Sequence, residues 1–210
     1  MTVRSLLVTL VLLVLATAAS GSAAPAPAPT PASRVLAERL AQAGRMEAAL
    51  TQVVDDPLGG PASERRGRIA IERPERVRLD YDGGESVTLR EDGGEWLQPK
   101  LTQMLVFDAA GAGAAATAWD LLLGRDIALQ TRPLGPATWR MRPLHPAAGL
   151  PDSIEVVLDH EGLPKRLQAW VGGEQTVSFR MSGWHASRPR GRTAFVLQAP
   201  PGYEVIRSGR

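Results

Sequence analysis

The feature that most constrains this chain is a period of two in its apolar residues, broken at intervals by glycine turns. From Gly67 onward, Ile69 and Ile71 alternate with Arg68, Ala70 and Glu72. Val77, Leu79 and Tyr81 alternate with Arg76, Arg78 and Asp80, and Val87 and Leu89 with Ser86, Thr88 and Arg90. Successive side chains of an extended chain point to opposite faces, so this spelling describes strands buried on one face and wet on the other, as in antiparallel sheets. The glycine-containing steps at 82–84 and 92–94 are hairpin signals, because glycine tolerates the positive φ of tight turns. Two further short strands are expected at 95–98 and 103–107.

The same alternation returns in the C-terminal half. Strands are expected at 138–142, 153–159, 163–171 and 175–184, with a last one at 193–198. About ten short strands at roughly ten-residue spacing mean a sandwich or barrel. Two segments break the pattern. Residues 33–50 read as a helix, with Ser33 as N-cap and Val35, Leu36, Leu40 and Ala43 on one stripe. Gly44 is a candidate stop, and 46–54 fits either a continued helix or a first strand. Residues 109–124 are rich in Ala and Gly and lead into Trp119, Leu121, Leu122 and Leu123, which spells a short helix or helical lid inserted into the β chain. Residues 57–61 form a turn-rich break.

The N-terminus reads as an export signal. Arg4 precedes the apolar run 6–15, and small residues at 16–24 supply an A-x-A-type cleavage site. The run is short against the ~20 apolar residues a membrane span needs. Residues 1–24 are therefore expected to be a cleaved signal peptide, and 25–32 an Ala/Pro tether of extended polyproline II character. Residues 33–210 are expected to be one domain with its own core. The chain has no Cys, so it has neither disulfides nor the lipidated cysteine of a lipoprotein, and the expected compartment is the periplasm. A net charge of +2 argues against a nucleic-acid footprint.

Motifs for chemistry are scarce. His145, His160 and His185 stand in no H-x-x-x-H or H-E-x-x-H spacing. There is no G-x-S-x-G elbow and no phosphate-binding glycine loop. Asp55–Asp56 and Glu91–Asp92 fall in turns, where Asp serves local backbone hydrogen bonds. No catalytic residue, metal ligand or cofactor site is expected, and the chain is not expected to be an enzyme. One residue departs from an ordinary β pattern. Arg73 follows Ile69 and Ile71 at period two, just before Pro74. It either points to the apolar face, where its donors need partners, or turns to water where strand regularity fails at the proline.

At this point the chain resembles the periplasmic lipoprotein carrier family, LolA. The resemblance rests on Gly-Arg-Ile-Ala-Ile-Glu-Arg-Pro at 67–74, on 77–81, and on Asp-Gly-Gly-Glu-Trp at 92–96 followed by Pro99. Residues 119–125 look like the family's Leu-rich helix; 162–167, 176–184 and 195–201 look like its C-terminal meander and closing Pro-Pro-Gly. The resemblance implies a mainly β fold with α, an unclosed antiparallel β-barrel (half-barrel) covered by a short helical lid. It implies a monomeric carrier that shields acyl chains of lipoproteins or lipids, with an inner-membrane transporter and an outer-membrane receptor as partners. Arg73 matches the family arginine that latches the lid. Face and resemblance together make Ile69, Ile71, Val77, Leu79, Trp96, Met104 and Leu122 the expected cavity lining. The strand after Arg-Pro is aromatic in well-known members, whereas here it carries Val77 and Leu79. That departure leaves open a specialised relative carrying a non-lipoprotein lipid, such as a polyene or glycolipid, or an envelope lipoprotein sensor.

Overall fold

The structure, a computed structural model, describes residues 31–55, 60–74, 76–108, 129–144, 151–171 and 175–208. One helix, α1 (Pro31–Ala43), opens it and carries Leu36 and Leu40 on its buried stripe, four residues apart. The helix ends at Gly44, whose φ of 75° is the left-handed conformation glycine adopts without a Cβ penalty. The Gly44 N–H donates to the Leu40 carbonyl at 2.8 Å. The chain then turns directly into β1 (Arg45–Val54). The ambiguous stretch after Gly44 is thus a strand, and the helix is shorter than 33–50.

Eleven more strands follow: β2 (Ser63–Glu72), β3 (Arg76–Tyr81), β4 (Ser86–Arg90), β5 (Gly93–Gln98), β6 (Gln103–Phe107), β7 (Leu129–Gly135), β8 (Thr138–Pro143), β9 (Ser153–Leu158), β10 (Pro164–Val171), β11 (Gln175–Ala186) and β12 (Glu204–Ser208). They form one unclosed sheet in the order β12-β6-β5-β4-β3-β2-β1-β11-β10-β9-β8-β7. Every pairing is antiparallel except β12 with β6, which is parallel. The architecture is an open half-barrel with a short helix, as expected. The long β1 is its spine: it joins the N-terminal meander through β2 and the C-terminal meander through β11.

Register assigns the faces. Met46 pairs with Ile71, Ala48 with Ile69, Ile71 with Val77 and Ile69 with Leu79. On the other side Leu50 pairs with Met181, Gln52 with Phe179, Phe179 with Leu167, Leu167 with Val156, and Ile154 with Met141. These residues share the inner face and, with Leu36 and Leu40 of α1, make one continuous buried cluster. Each large aliphatic side chain sealed there contributes about 1.5–3 kcal/mol. The helix packs over β1, β9 and β11.

One expectation fails at the C-terminus. Residues 193–198 are not a ladder strand: Arg192–Phe195 is a single 3-10 turn, and the last strand is β12. The preceding chain forms a strap over the outer face of the sheet. Its Ser187 N–H donates to the Arg45 carbonyl of β1, and its Arg190 and Gly191 N–H groups donate to Glu72 of β2. Arg78 of β3 donates to the Ala194 carbonyl at 2.7 Å, and Arg90 of β4 to the Phe195 carbonyl at 2.6 Å. Leu197 N–H reaches Glu95 of β5. The strap therefore crosses the strands in sheet order and delivers β12 to the edge at β6. Strand β7 has no counterpart in the alternation, because its inner positions include Thr131 and Pro133.

Candidate functional site

The inner face of β2–β6 is a nearly unbroken apolar wall. Ile69, Ile71, Val77 and Leu79, four of the expected lining residues, stand together on it and are fully buried in the core cluster. Leu79 pairs with Val87, Val87 with Trp96, and Trp96 with Leu105; Val77 pairs with Leu89, Leu89 with Gly94, and Gly94 with Phe107. Trp96 thus lies on the same wall, two strands further out. Gly94 has a specific reason to lack a side chain. A Cβ there would sit 2.9 Å from the Phe107 ring and 2.0 Å from the Thr88 carbonyl oxygen.

Met104 does not belong to this wall. It pairs with Leu97 and Val205, and its strand neighbour Leu105 is the residue opposite Trp96. Met104 is buried on the outer face, so Leu105 replaces it in the lining. The phase is concealed in the sequence because Met104, Leu105, Val106 and Phe107 are all apolar. Leu122 and the expected lid at 109–124 lie outside the described residues. Arg73 stands one residue past the end of β2, in a turn, and is exposed. Its N–H donates to the Gly44 carbonyl at 3.0 Å, and its carbonyl accepts from the Arg76 guanidinium. The period-two face ends at Glu72, so Arg73 does not continue the packed row of Ile69 and Ile71.

Burial changes along the wall. The β2 and β3 residues are sealed, whereas Val87, Leu89, Trp96, Leu105 and Phe107 are half-buried. The wall therefore runs from the sealed core, over which α1 packs on β1, β9 and β11, onto less buried apolar surface on β4–β6. A polar cluster closes one end. Glu85 Oε1 accepts from Trp96 Nε1 at 2.6 Å and from Arg65 Nη1 at 2.5 Å. The Arg65 guanidinium lies 5.1 Å from the Tyr81 ring centroid. The Tyr81 hydroxyl donates to Gln52 Oε1 at 2.5 Å, and burial pushes its pKa up, so it remains a neutral donor. Arg65, Tyr81, Glu85 and Trp96 border a cleft of about 480 Å³ that also meets Lys100 and Leu101. Arg65, Gln52, Tyr81 and Glu85 were not anticipated as a group. Two of them are polar residues at inner-face positions, and that phase error in the alternation was their only signal.

Among the described residues no group of three His, Cys, Asp or Glu side chains is placed to hold a metal ion, and no helix is long and apolar enough to cross a membrane. The half-sheet thus presents an apolar inner wall with a polar cluster at one end. No protein-family model matches the chain, and no curated protein matches it. Solved structures of similar fold include an uncharacterized conserved protein from Thermus thermophilus, at 11% identity and a TM-score of 0.48 over 84% of this chain and 99% of that one. They also include a LolA superfamily protein from Nitrosomonas europaea, at 6% identity and a TM-score of 0.45 over 80% of this chain and 97% of that one.

Proposed function

We propose that the chain is a periplasmic carrier that shelters the acyl chains of a lipoprotein or lipid against the inner wall of its half-barrel. The observation that carries this reading is the apolar wall itself: it continues from the sealed core onto half-buried Val87, Leu89, Trp96, Leu105 and Phe107. An acyl chain in water loses about 0.8 kcal/mol per exposed CH₂, so covering ten methylenes is worth about 8 kcal/mol by that figure. The wall offers such cover without catalytic groups. Export through the signal at 1–24 puts the carrier between the two membranes, where a transporter and a receptor hand the guest on. Arg73, exposed at the β2–β3 turn, is the proposed latch toward 109–124.

The test is mass spectrometry of what co-purifies with the mature chain, paired with displacement of a fluorescent fatty acid. Leu105→Glu should weaken probe binding at least tenfold, while Met104→Leu, on the opposite face, leaves it within twofold. Equal effects would remove the inner wall from the mechanism. An acylated protein in the spectrum supports lipoprotein cargo. A free lipid supports a specialised carrier, which the aliphatic Val77–Leu79 pair favours over an aromatic-lined general carrier.

A further inference from the structure

The strap covers the outer face over β1–β6 only, and the outer face of β8–β11 is crossed by no described element. Its register is unusual. Arg166 on β10 lies directly opposite Arg180 on β11, and Arg132 on β7 directly opposite Arg140 on β8. Like charges in directly opposed positions destabilise a sheet, so two such pairs on one face need a reason outside the fold. Among the described residues, one carboxylate is shared by two of these arginines. Glu155 takes a hydrogen bond from Arg166 at 3.0 Å and another from Arg140 at 3.1 Å. The Nε atoms of both arginines are buried and have no partner. An unpartnered buried donor carries a desolvation penalty that an incoming acceptor would relieve.

Arg166 and Arg180 border a cleft of about 510 Å³ whose lining also includes Lys165, Thr51, Thr138 and Ser182. Lys165 and Arg180 are exposed. Guanidinium, ammonium and hydroxyl donors converging with one shared carboxylate suit a group with several anionic oxygens, and phosphate is that group. The second opposed pair, Arg132 and Arg140, stands outside the cleft on the same face. Cations spread over several strands match an array of phosphates better than one small anion.

We propose that the outer face of β8–β11 docks on an anionic phospholipid bilayer, with a headgroup phosphate seated in the Lys165–Arg166–Arg180 cleft. This surface is on the opposite side of the sheet from the acyl wall, so docking and carriage use separate residues. The test is co-sedimentation of the mature chain with vesicles of phosphatidylglycerol and phosphatidylcholine, against vesicles of phosphatidylcholine alone. Binding to the anionic vesicles should exceed binding to the neutral ones and weaken as salt rises. Arg180→Ala should weaken it about fivefold and Lys165→Ala with Arg180→Ala about 25-fold, since each basic residue near an anionic surface is worth about 1 kcal/mol. Arg207→Ala, an exposed cation on β12 at the far edge, should change nothing. The urea midpoint of Arg180→Ala should not fall, because the substitution removes an opposed like charge. Equal binding to neutral vesicles overturns the proposal. So does an Arg207→Ala effect as large as that of Arg180→Ala. Saturation by glycerol phosphate with no vesicle binding also overturns it, by placing the phosphate on a soluble ester. Probe binding to the inner wall should be the same in every one of these variants, so failure here leaves the carrier reading standing.

Discussion

Replacing Glu72 by Gln should destabilise the fold more than any other single polar substitution on the outer face. Glu72 is 2% exposed and Arg45 beside it is 4% exposed. Four donors converge on the two carboxylate oxygens: Arg45 Nη1 and Arg76 Nη2 at 3.1 Å, and the Arg190 and Gly191 N–H groups at 2.8 Å. A glutamine keeps one acceptor oxygen and turns an NH₂ group toward donors. It also leaves Arg45 buried with only Glu47, at 2.8 Å, as its carboxylate partner. Removing one partner of a buried ion pair costs about 3–5 kcal/mol. With an m-value of about 2 kcal/mol/M for urea, that is a fall of about 1.5–2.5 M in the unfolding midpoint. The control is Glu64→Gln, whose partner Arg66 is exposed; an exposed pair of this kind is worth at most about 1 kcal/mol. A shift below about 0.5 M for Glu72→Gln would refute the claim that the strap is held by a buried charge centre.

Three further outcomes follow from the same geometry. Burial opposes ionisation of Glu72, Glu95 and Glu47, yet hydrogen bonds from Arg190 N–H and Arg45, from Arg90 and Thr88, and from Arg45 and Ser187 respectively hold each carboxyl below its ordinary value. The unfolded chain therefore takes up protons first, and this stability is present above about pH 4.3, the free glutamate value, and lost as pH falls through the lower folded values. Urea midpoints measured from pH 7 to pH 3 should drop below about pH 5, and less steeply in Glu72→Gln; parallel acid slopes would contradict the assignment. Gly94→Ala should lower stability by about 1–3 kcal/mol, because the added Cβ meets backbone and the Phe107 ring; an unchanged thermal midpoint would show that β5 and β6 give way freely. Arg73→Leu should leave the unfolding free energy within about 0.5 kcal/mol, as for an exposed surface position, while changing the rate at which a loaded acyl probe is released; identical release kinetics would remove the latch.

Period-two reasoning recovered the strands whose two faces differ in polarity. β2, β3 and β4 are the clearest, with Ile69, Leu79 and Val87 in ladder contact on the face the alternation named. It lost the phase at β6, where four consecutive residues, Met104 to Phe107, are apolar and both faces of the strand carry apolar side chains. At 193–198 it expected a strand where the chain forms no ladder. Phe195 and Leu197 are buried two residues apart, but they face the outer surface of the sheet from a strap. The strap's backbone bonds go to Glu72, Glu95, Arg78 and Arg90 in place of a neighbouring strand. No local pattern distinguishes an outward Glu that meets water from one that meets a returning segment over 100 residues later.

That distinction also separates the two halves of the outer face. Where the strap lies, most arginines find acceptors, and Arg76 Nε is the buried atom there without a hydrogen-bond partner among the described residues. Arg45 meets Glu47 and Glu72, Arg78 meets Asp80 and a strap carbonyl, and Arg90 meets Glu95 and another strap carbonyl. Phe195 completes the cover, its ring 5.5 Å from both Arg45 and Arg76, in the range of a cation–π contact. On β8–β11 the arginines recur on outward positions, but Glu155 is shared between Arg140 and Arg166, and the buried Nε atoms of both lack partners. The two halves differ in their acceptors: strap carbonyls take hydrogen bonds from Arg78 and Arg90 on one, while two arginines share a single carboxylate on the other. The strap supplies carbonyl oxygens to the first set, and a layer of phosphate oxygens would do the same for the second.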